Sequence, residues 1–141
     1  PFSAYADSIV LACLLYGEAR GDGRDGRIAV ANVVINRLSK APRYGKTLQG
    51  VMLRPRQFSC FNPGDPNYML LYKIAVNFEG TVSMDEILQD CKSIADRAIS
   101  NKLPDTTGGA THYHTLSVEP SWVQNMVYLK ITGNHVFYRE V

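Results

Sequence analysis

The sequence predicts an α+β domain, mainly helical, with a small two-stranded β element near the C-terminus. Three observations lead there. Apolar residues recur at helical spacing through most of the first hundred positions. Glycine- and proline-rich stretches cut that pattern into separate pieces. After Pro104 the periodicity changes to alternation, as in strands. A single domain over residues 1–141 fits the length, with room for a core that needs no disulfide staples.

The first helix is expected from about Tyr5 to Arg20, because the apolar run Ile9-Val10-Leu11-Ala12-Cys13-Leu14-Leu15 ends where Gly21-Asp22-Gly23 breaks the chain. A second helix starts after Asp22 or Asp25, either of which can cap it, and runs to about Leu38 with Ile28, Ala31, Val34 and Ile35 at helical spacing. Its β-branched residues also suit a strand, but the capping signal and the length favour helix. Residues 39–67 are loop-rich, since Pro42, Pro55, Pro63 and Pro66 leave space only for a short helix at Leu48 to Leu53. Another helix is expected from Tyr68 to Phe78. Ser83-Met84-Asp85-Glu86 reads as a capping box that opens a helix with an apolar stripe of Ile87, Cys91, Ile94, Ala95 and Ala98. Thr106-Thr107-Gly108-Gly109 then turns into a strand at Ala110-Thr111-His112-Tyr113-His114-Thr115. Pro120-Ser121-Trp122 begins a short helical piece, and Gly133-Asn134 turns into a second strand, His135-Val136-Phe137-Tyr138.

Composition narrows the function classes. Hydrophobic content of 45% and charge of 20% are those of an ordinary globular protein. The 15 basic and 13 acidic residues are well mixed, which argues against a nucleic-acid partner. No apolar run approaches the ~18 residues of a membrane span, and no targeting signal is visible in the chain. Cys13, Cys60 and Cys91 have no C-x-x-C spacing, which argues against a zinc ribbon or a disulfide framework, and Cys13 and Cys91 fall on apolar helix faces that suit core packing. No cofactor is expected, and a monomer is.

Three constellations carry candidate chemistry. Glu18 ends the first apolar run just where the chain breaks into glycines. A carboxyl half out of water is penalised in its charged form and suits a general acid, such as the one that protonates the leaving oxygen of a glycosidic bond. The plainer alternative is a surface ion pair with Arg20. Asp22 and Asp25, the nearest other carboxylates in sequence, read as helix caps, so no second catalytic carboxylate stands out. His112 and His114 lie two apart on a strand and share a face. With His135, Cys60 or a carboxylate they would make a zinc site for an amidase or peptidase, and without a third ligand they line a polar groove. Gln57, Phe58, Tyr113 and Trp122 form an aromatic and amide set that suits a sugar cleft, where rings stack on C–H faces and amides read hydroxyls. For Phe58 a place in the core is at least as good a reading. No serine stands in a G-x-S-x-G elbow.

Six blocks taken together resemble one family, the SleB/CwlJ-type cell wall hydrolases. They are Glu18-Ala19-Arg20-Gly21; Ile28-Ala29-Val30-Ala31-Asn32-Val33-Val34-Ile35-Asn36-Arg37; Gln57-Phe58-Ser59; Thr107-Gly108-Gly109-Ala110-Thr111-His112-Tyr113-His114; Pro120-Ser121-Trp122; and Gly133-Asn134-His135-Val136-Phe137-Tyr138. The resemblance implies a lysozyme-like fold related to lytic transglycosylases, peptidoglycan glycan strands as partner, and action on the cell wall, whether periplasmic, extracellular or phage-delivered. It puts the catalytic glutamate of the E-A-R-G motif on Glu18 and a cleft role on Gln57, His112, Tyr113, His114 and Trp122. Asp22 stands where many members have glutamate, and Thr115 where spore-type members have asparagine. The histidine-rich strand is closer to the non-spore or phage branch. A non-catalytic peptidoglycan-binding module is the remaining alternative of another class.

Overall fold

Residues 10–15 are buried on every side, so the first helix must run through the middle of the molecule rather than over its surface. In the computed structural model, which describes residues 1–141, helix α1 (Asp7–Ala19) packs against α2 (Gly23–Leu38), α3 (Leu48–Met52), α4 (Tyr68–Val76) and α6 (Glu86–Ile99). The short α5 (Phe78–Val82) joins α4 to α6. A contiguous core of 30 buried residues spans α1, α2, α4 and α6 and reaches Ala110 and Phe137 at the sheet.

The helix ends follow from local chemistry, with two departures from expectation. Thr47 caps α3 by accepting from Gly50 N. For α6 the cap is Asp85, which accepts from Leu88 N, whereas Ser83 donates to Gly80 O and closes α5 instead. That start turns Leu88 inward, and Ile87 stays 40% exposed, so the stripe is Leu88, Cys91, Ile94, Ala95 and Ala98. The expected helix from Tyr68 to Phe78 is interrupted at Asn77, which separates α4 from α5.

The sheet is antiparallel in the order β1 (His112–Thr115), β3 (His135–Glu140), β2 (Met126–Thr132). It has one strand more than the sequence announced. β2 pairs Tyr128 with Tyr138 but Lys130 with Phe137, so Leu129 is an extra residue in a bulge. The bulge breaks the period of two and removes the alternation by which a strand is recognised.

Polar side chains of α2 attach the sheet to the helices. Asn32 Oδ1 accepts from the Thr106 amide and hydroxyl, and its Nδ2 donates to Pro104 O. One turn on, Asn36 Nδ2 donates to Ala110 O and Arg37 Nε to Thr111 O. The loop between is ordered by Asp105, which accepts from the Thr107 amide and hydroxyl and from Gly109 N. Burial pushes the Asp105 carboxyl up, but the bonds from Thr107, Gly109 and Asn36 outweigh it and hold the group below its ordinary value.

Candidate active site

Glu18 sits on the last turn of α1, half-buried, and the residue before it explains how. A Cβ at Gly17 would lie 2.8 Å from both Cys60 Cβ and Leu71 Cδ1, so only glycine lets the 3-10 turn Ser59–Phe61 close on the helix end. That turn brings Cys60 beside Glu18. Burial, and then the neighbouring Glu18, push the Cys60 thiol far up, so it is no nucleophile. From the sheet side, the Tyr113 hydroxyl donates to Glu18 Oε1. Burial and the Glu18 charge push the Tyr113 phenol well above its ordinary value, which keeps it a donor.

Glu18 and Tyr113 line a pocket of about 290 Å³ that also takes in Arg37, Arg56, Gln57 and His114. Glu18 is its only carboxylate. A larger cleft of about 650 Å³ adjoins it, lined by Arg43, Tyr44, Arg54, His112 and Trp122, and Gln57 belongs to both. Gln57 joins the two hollows into one trough, with Glu18 in the smaller part and Tyr44, His112 and Trp122 in the larger. The Trp122 ring packs against His112 at 5.4 Å and His114 at 5.7 Å. Of the residues predicted from sequence, Glu18, Gln57, Tyr113 and His114 meet in the first pocket, and His112 and Trp122 lie in the second. Phe58 is core, at 2% exposure, although its ring forms part of the floor beneath Arg37.

The alternation of β1 sends the two histidines and Tyr113 to opposite faces. His112 and His114 share theirs with Trp122 and Tyr138, whereas Tyr113 packs on Phe137 at 5.5 Å and edge-on against His135 at 4.9 Å. His135 shares the Tyr113 face, so although it lines the same pocket as His114 it does not converge with His112 and His114 around one point. Both ring nitrogens of His114 are engaged, with Thr115 O and the Tyr138 hydroxyl. No group of three or more histidine, cysteine, aspartate or glutamate side chains converges in metal-binding geometry. The three-ligand set considered for a metal-dependent amidase is not assembled by this fold.

Asp22 corrects another expectation. It occupies the position before α2 but makes no capping bond with its side chain. Its carboxylate accepts instead from His135 Nδ1 at 2.6 Å and from Asn134 Nδ2 at 2.9 Å, almost wholly out of water. A Cβ at Gly26 would lie 2.5 Å from Asp22 Cβ, and one at Gly133, where φ is +59°, 2.7 Å from it. The two glycines make the room in which helix α2 and the β2–β3 turn grip this carboxylate. Sequence reasoning missed the pairing because its partners lie more than a hundred residues apart.

Arg37 and Arg56 were also missed as pocket residues. Arg37 is 6% exposed, sandwiched between the Tyr44 ring at 5.2 Å and the Phe58 ring at 5.1 Å. Burial pulls its guanidinium below the ordinary value, with Arg54 adding to the effect and Tyr113 and Glu140 opposing it. Arg56 holds a left-handed backbone, φ 64°, unusual for a residue with a side chain and the kind of strain that clusters at functional sites.

The chain is similar to known proteins along nearly its whole length. The chain is 29% identical over 140 residues to a spore cortex-lytic enzyme of Halalkalibacterium halodurans, covering 96% of this chain and 36% of that one. It is 28% identical over 134 residues to the spore cortex-lytic enzyme of Oceanobacillus iheyensis, covering 93% and 41%. It therefore spans well under half the length of these curated relatives. Among solved structures, the catalytic domain of the germination-specific lytic transglycosylase SleB from Bacillus anthracis superposes with a TM-score of 0.66 at 26% identity, covering 94% of this chain and 93% of that one. The catalytic domain of the Bacillus cereus SleB protein gives the same TM-score and identity, with coverage of 96% and 92%. The lysozyme-like fold expected from the motifs is thus the one observed. The cell wall hydrolase family matches residues 21–138, and the chain belongs to that family.

Proposed function

We propose that this chain cleaves the glycan strand of peptidoglycan between N-acetylmuramic acid and N-acetylglucosamine, as a lytic transglycosylase, with Glu18 as acid and then base. The observation that carries the reading is a pocket whose one carboxylate has an oxygen already occupied by a phenol that stays protonated. With Oε1 accepting from Tyr113, Oε2 is the oxygen left to hold the proton. That proton passes to the bridging oxygen as the bond from C1 of the muramoyl sugar breaks. The resulting carboxylate gains from the Tyr113 hydrogen bond, which is stronger to a charged acceptor than to a neutral one. The sugar's own 6-hydroxyl oxygen then attacks C1, and its proton goes to Glu18. The acid is regenerated, a 1,6-anhydro sugar is formed, and no water is consumed.

This scheme needs a single carboxylate. Asp22, the nearest in sequence, is held by His135 and Asn134 and does not line the pocket. Two-carboxylate hydrolysis, in which a second acid attacks the sugar or activates water across the ring, finds no second group there. Gln57, His112, His114 and Trp122 are assigned to binding: the indole and imidazoles stack on the pyranose faces, and the amide reads hydroxyl or N-acetyl groups. The names of the relatives and of the solved catalytic domains support the same substrate. Residues 1–141 act on this reading as one catalytic domain and as a monomer, on a bacterial wall reached from the periplasm, from outside the cell or by phage delivery.

Mass spectrometry of the soluble products released from purified peptidoglycan, by wild type and Glu18→Gln side by side, tests the proposal. Anhydromuramic ends are expected from wild type, with the mutant slower by about a thousandfold or more while still folded. Reducing muramic ends would replace transglycosylation by hydrolysis, and normal lysis by the folded mutant would remove Glu18 from the mechanism. Release of free peptides would point to an amidase or peptidase, and binding to walls without soluble fragments to a non-catalytic module.

A further inference from the structure

We infer that Arg37 anchors a carboxylate-binding subsite beside Glu18, so that the substrate presents an anionic carboxylate next to the bond that is cut. The inference rests on the proposed reaction and specifies what the glycan must carry. Arg37 is nine-tenths buried, yet every partner it has in the protein is neutral. Nε donates to Thr111 O at 2.7 Å, Nη1 to Gln57 Oε1 at 3.2 Å, and the two faces lie against Tyr44 and Phe58. No carboxylate forms an ion pair with it, and Nη2 donates to no group of the protein. The side chain lines the Glu18 pocket, and Nη2 is the one nitrogen of the guanidinium left without a protein partner.

Arg20, Arg54 and Arg139 also bond only neutral groups, but none of them is buried as Arg37 is. Arg27, the other buried arginine, pairs with Asp90 at 2.8 Å. Arg43, far more exposed, makes a two-pronged pair with Glu140. A buried cation with only neutral acceptors is an expensive arrangement, and an incoming anion relieves it. The planar fork of a guanidinium is matched by a carboxylate. Arg56 lines the same pocket and adds a second positive charge, so Glu18 is the only negative group there and is neutral when it acts as the acid. On a peptidoglycan strand a carboxylate in this position has two sources: the lactyl group of a muramic acid without its peptide, or a free carboxylate of the peptide stem.

Binding of N-acetylmuramic acid and of its methyl ester to the wild-type protein, followed by NMR titration, separates charge recognition from sugar recognition. Neither is a substrate, so turnover does not interfere. If the lactyl group is the source, the acid binds about tenfold or more tightly than the ester. Arg37→Gln then loses that preference, and Arg37→Lys keeps part of it. If the stem is the source, acid and ester bind alike. Peptide-bearing strands are then cleaved with a KM at least about tenfold below that of amidase-stripped strands, and Arg37→Gln removes that ratio of KM values whatever its effect on kcat. The inference is overturned if neither pair is distinguished by wild type, or if folded Arg37→Gln distinguishes them as well as wild type does. Because Arg37 also holds Thr111, the acid-versus-ester comparison on the unsubstituted site keeps the test independent of folding. Carboxylate discrimination by a wild type that releases no glycan fragments would leave the subsite standing and remove the proposed reaction.

Discussion

The helical body and the seam that joins it to the sheet are held together by different physics. In the body, α1 packs on α6, and Leu11, Leu14, Leu88, Cys91 and Ile94 of the two helices are wholly out of water and carry no hydrogen-bonding obligation except the weak one of the Cys91 thiol. Such contacts are strong in sum but tolerant in direction. At the seam, Asn32, Asn36, Arg37 and Asp22 reach across to particular partners in the segment from Pro104 to His135. Those bonds are directional, and they decide where β1 lies and hence where Tyr113 meets Glu18. The body supplies stability, whereas the seam supplies geometry.

A matched pair of substitutions puts the largest strain on that comparison. Leu88→Ala, in the body, is expected to cost about 3 kcal/mol in denaturant unfolding, through lost burial and the cavity left behind. Asp22→Ala, at the seam, is expected to cost about 3 kcal/mol as well, because His135 and Asn134 lose their shared acceptor. Turnover per folded molecule should separate them. It stays near wild type in Leu88→Ala and falls about a hundredfold in Asp22→Ala, where the ring that braces Tyr113 is released. Equal activities in the two variants would dissolve the distinction between body and seam.

Tyr113→Phe sharpens the same point at one atom. It removes only the hydroxyl that donates to Glu18 and leaves the packing on Phe137 and His135 in place. A hydrogen bond to a charged group is worth about 1.5–3 kcal/mol, so kcat should fall by roughly tenfold to a hundredfold with KM little changed. Stability should move by less than about 1 kcal/mol. A rise in KM at constant kcat would make Tyr113 a sugar-binding residue, the role its motif implied, instead of the partner of the acid.

The body was legible in the sequence and the seam mostly was not, for reasons these residues make plain. Burial of α1 follows from an unbroken apolar run, and the break between α1 and α2 follows from Gly21 and Gly23. Glu18 was singled out because its helix end and the glycine break after it are local, and the fold places it in a pocket. Asp22 was misread as a cap because an aspartate before a helix nearly always has that use. Nothing nearby in sequence reveals a histidine 113 positions away. Arg37 was noticed as part of a motif but given no role, since its isolation from carboxylates is a property of the fold. β2 escaped because one bulged residue, Leu129, breaks the pattern that marks a strand.

The smallest expected effect concerns the far end of the trough. Burial first, then Arg37 and Arg43, push the His112 imidazole down to about 4. Its ordinary value is about 6.5. Between those two values the unfolded chain binds a proton that the folded chain refuses, so acidification through this window favours unfolding. Above about 6.5 the ring is neutral in both states, and below about 4 it is charged in both, so the slope vanishes on either side. With the ring half-exposed, solvent screening reduces the contribution to on the order of 1 kcal/mol across the window. Urea unfolding of wild type and His112→Gln at pH 7, 5.5 and 4.5 should show the wild type losing stability faster as the pH falls. The neutral imidazole that stacks beside Trp122 would then be the binding form throughout the mildly acidic to neutral range. Parallel curves would mean that the two arginines at that end do not press on His112. The field attributed to Arg37, on which its attraction for a substrate carboxylate depends, would then be weaker than its burial implies.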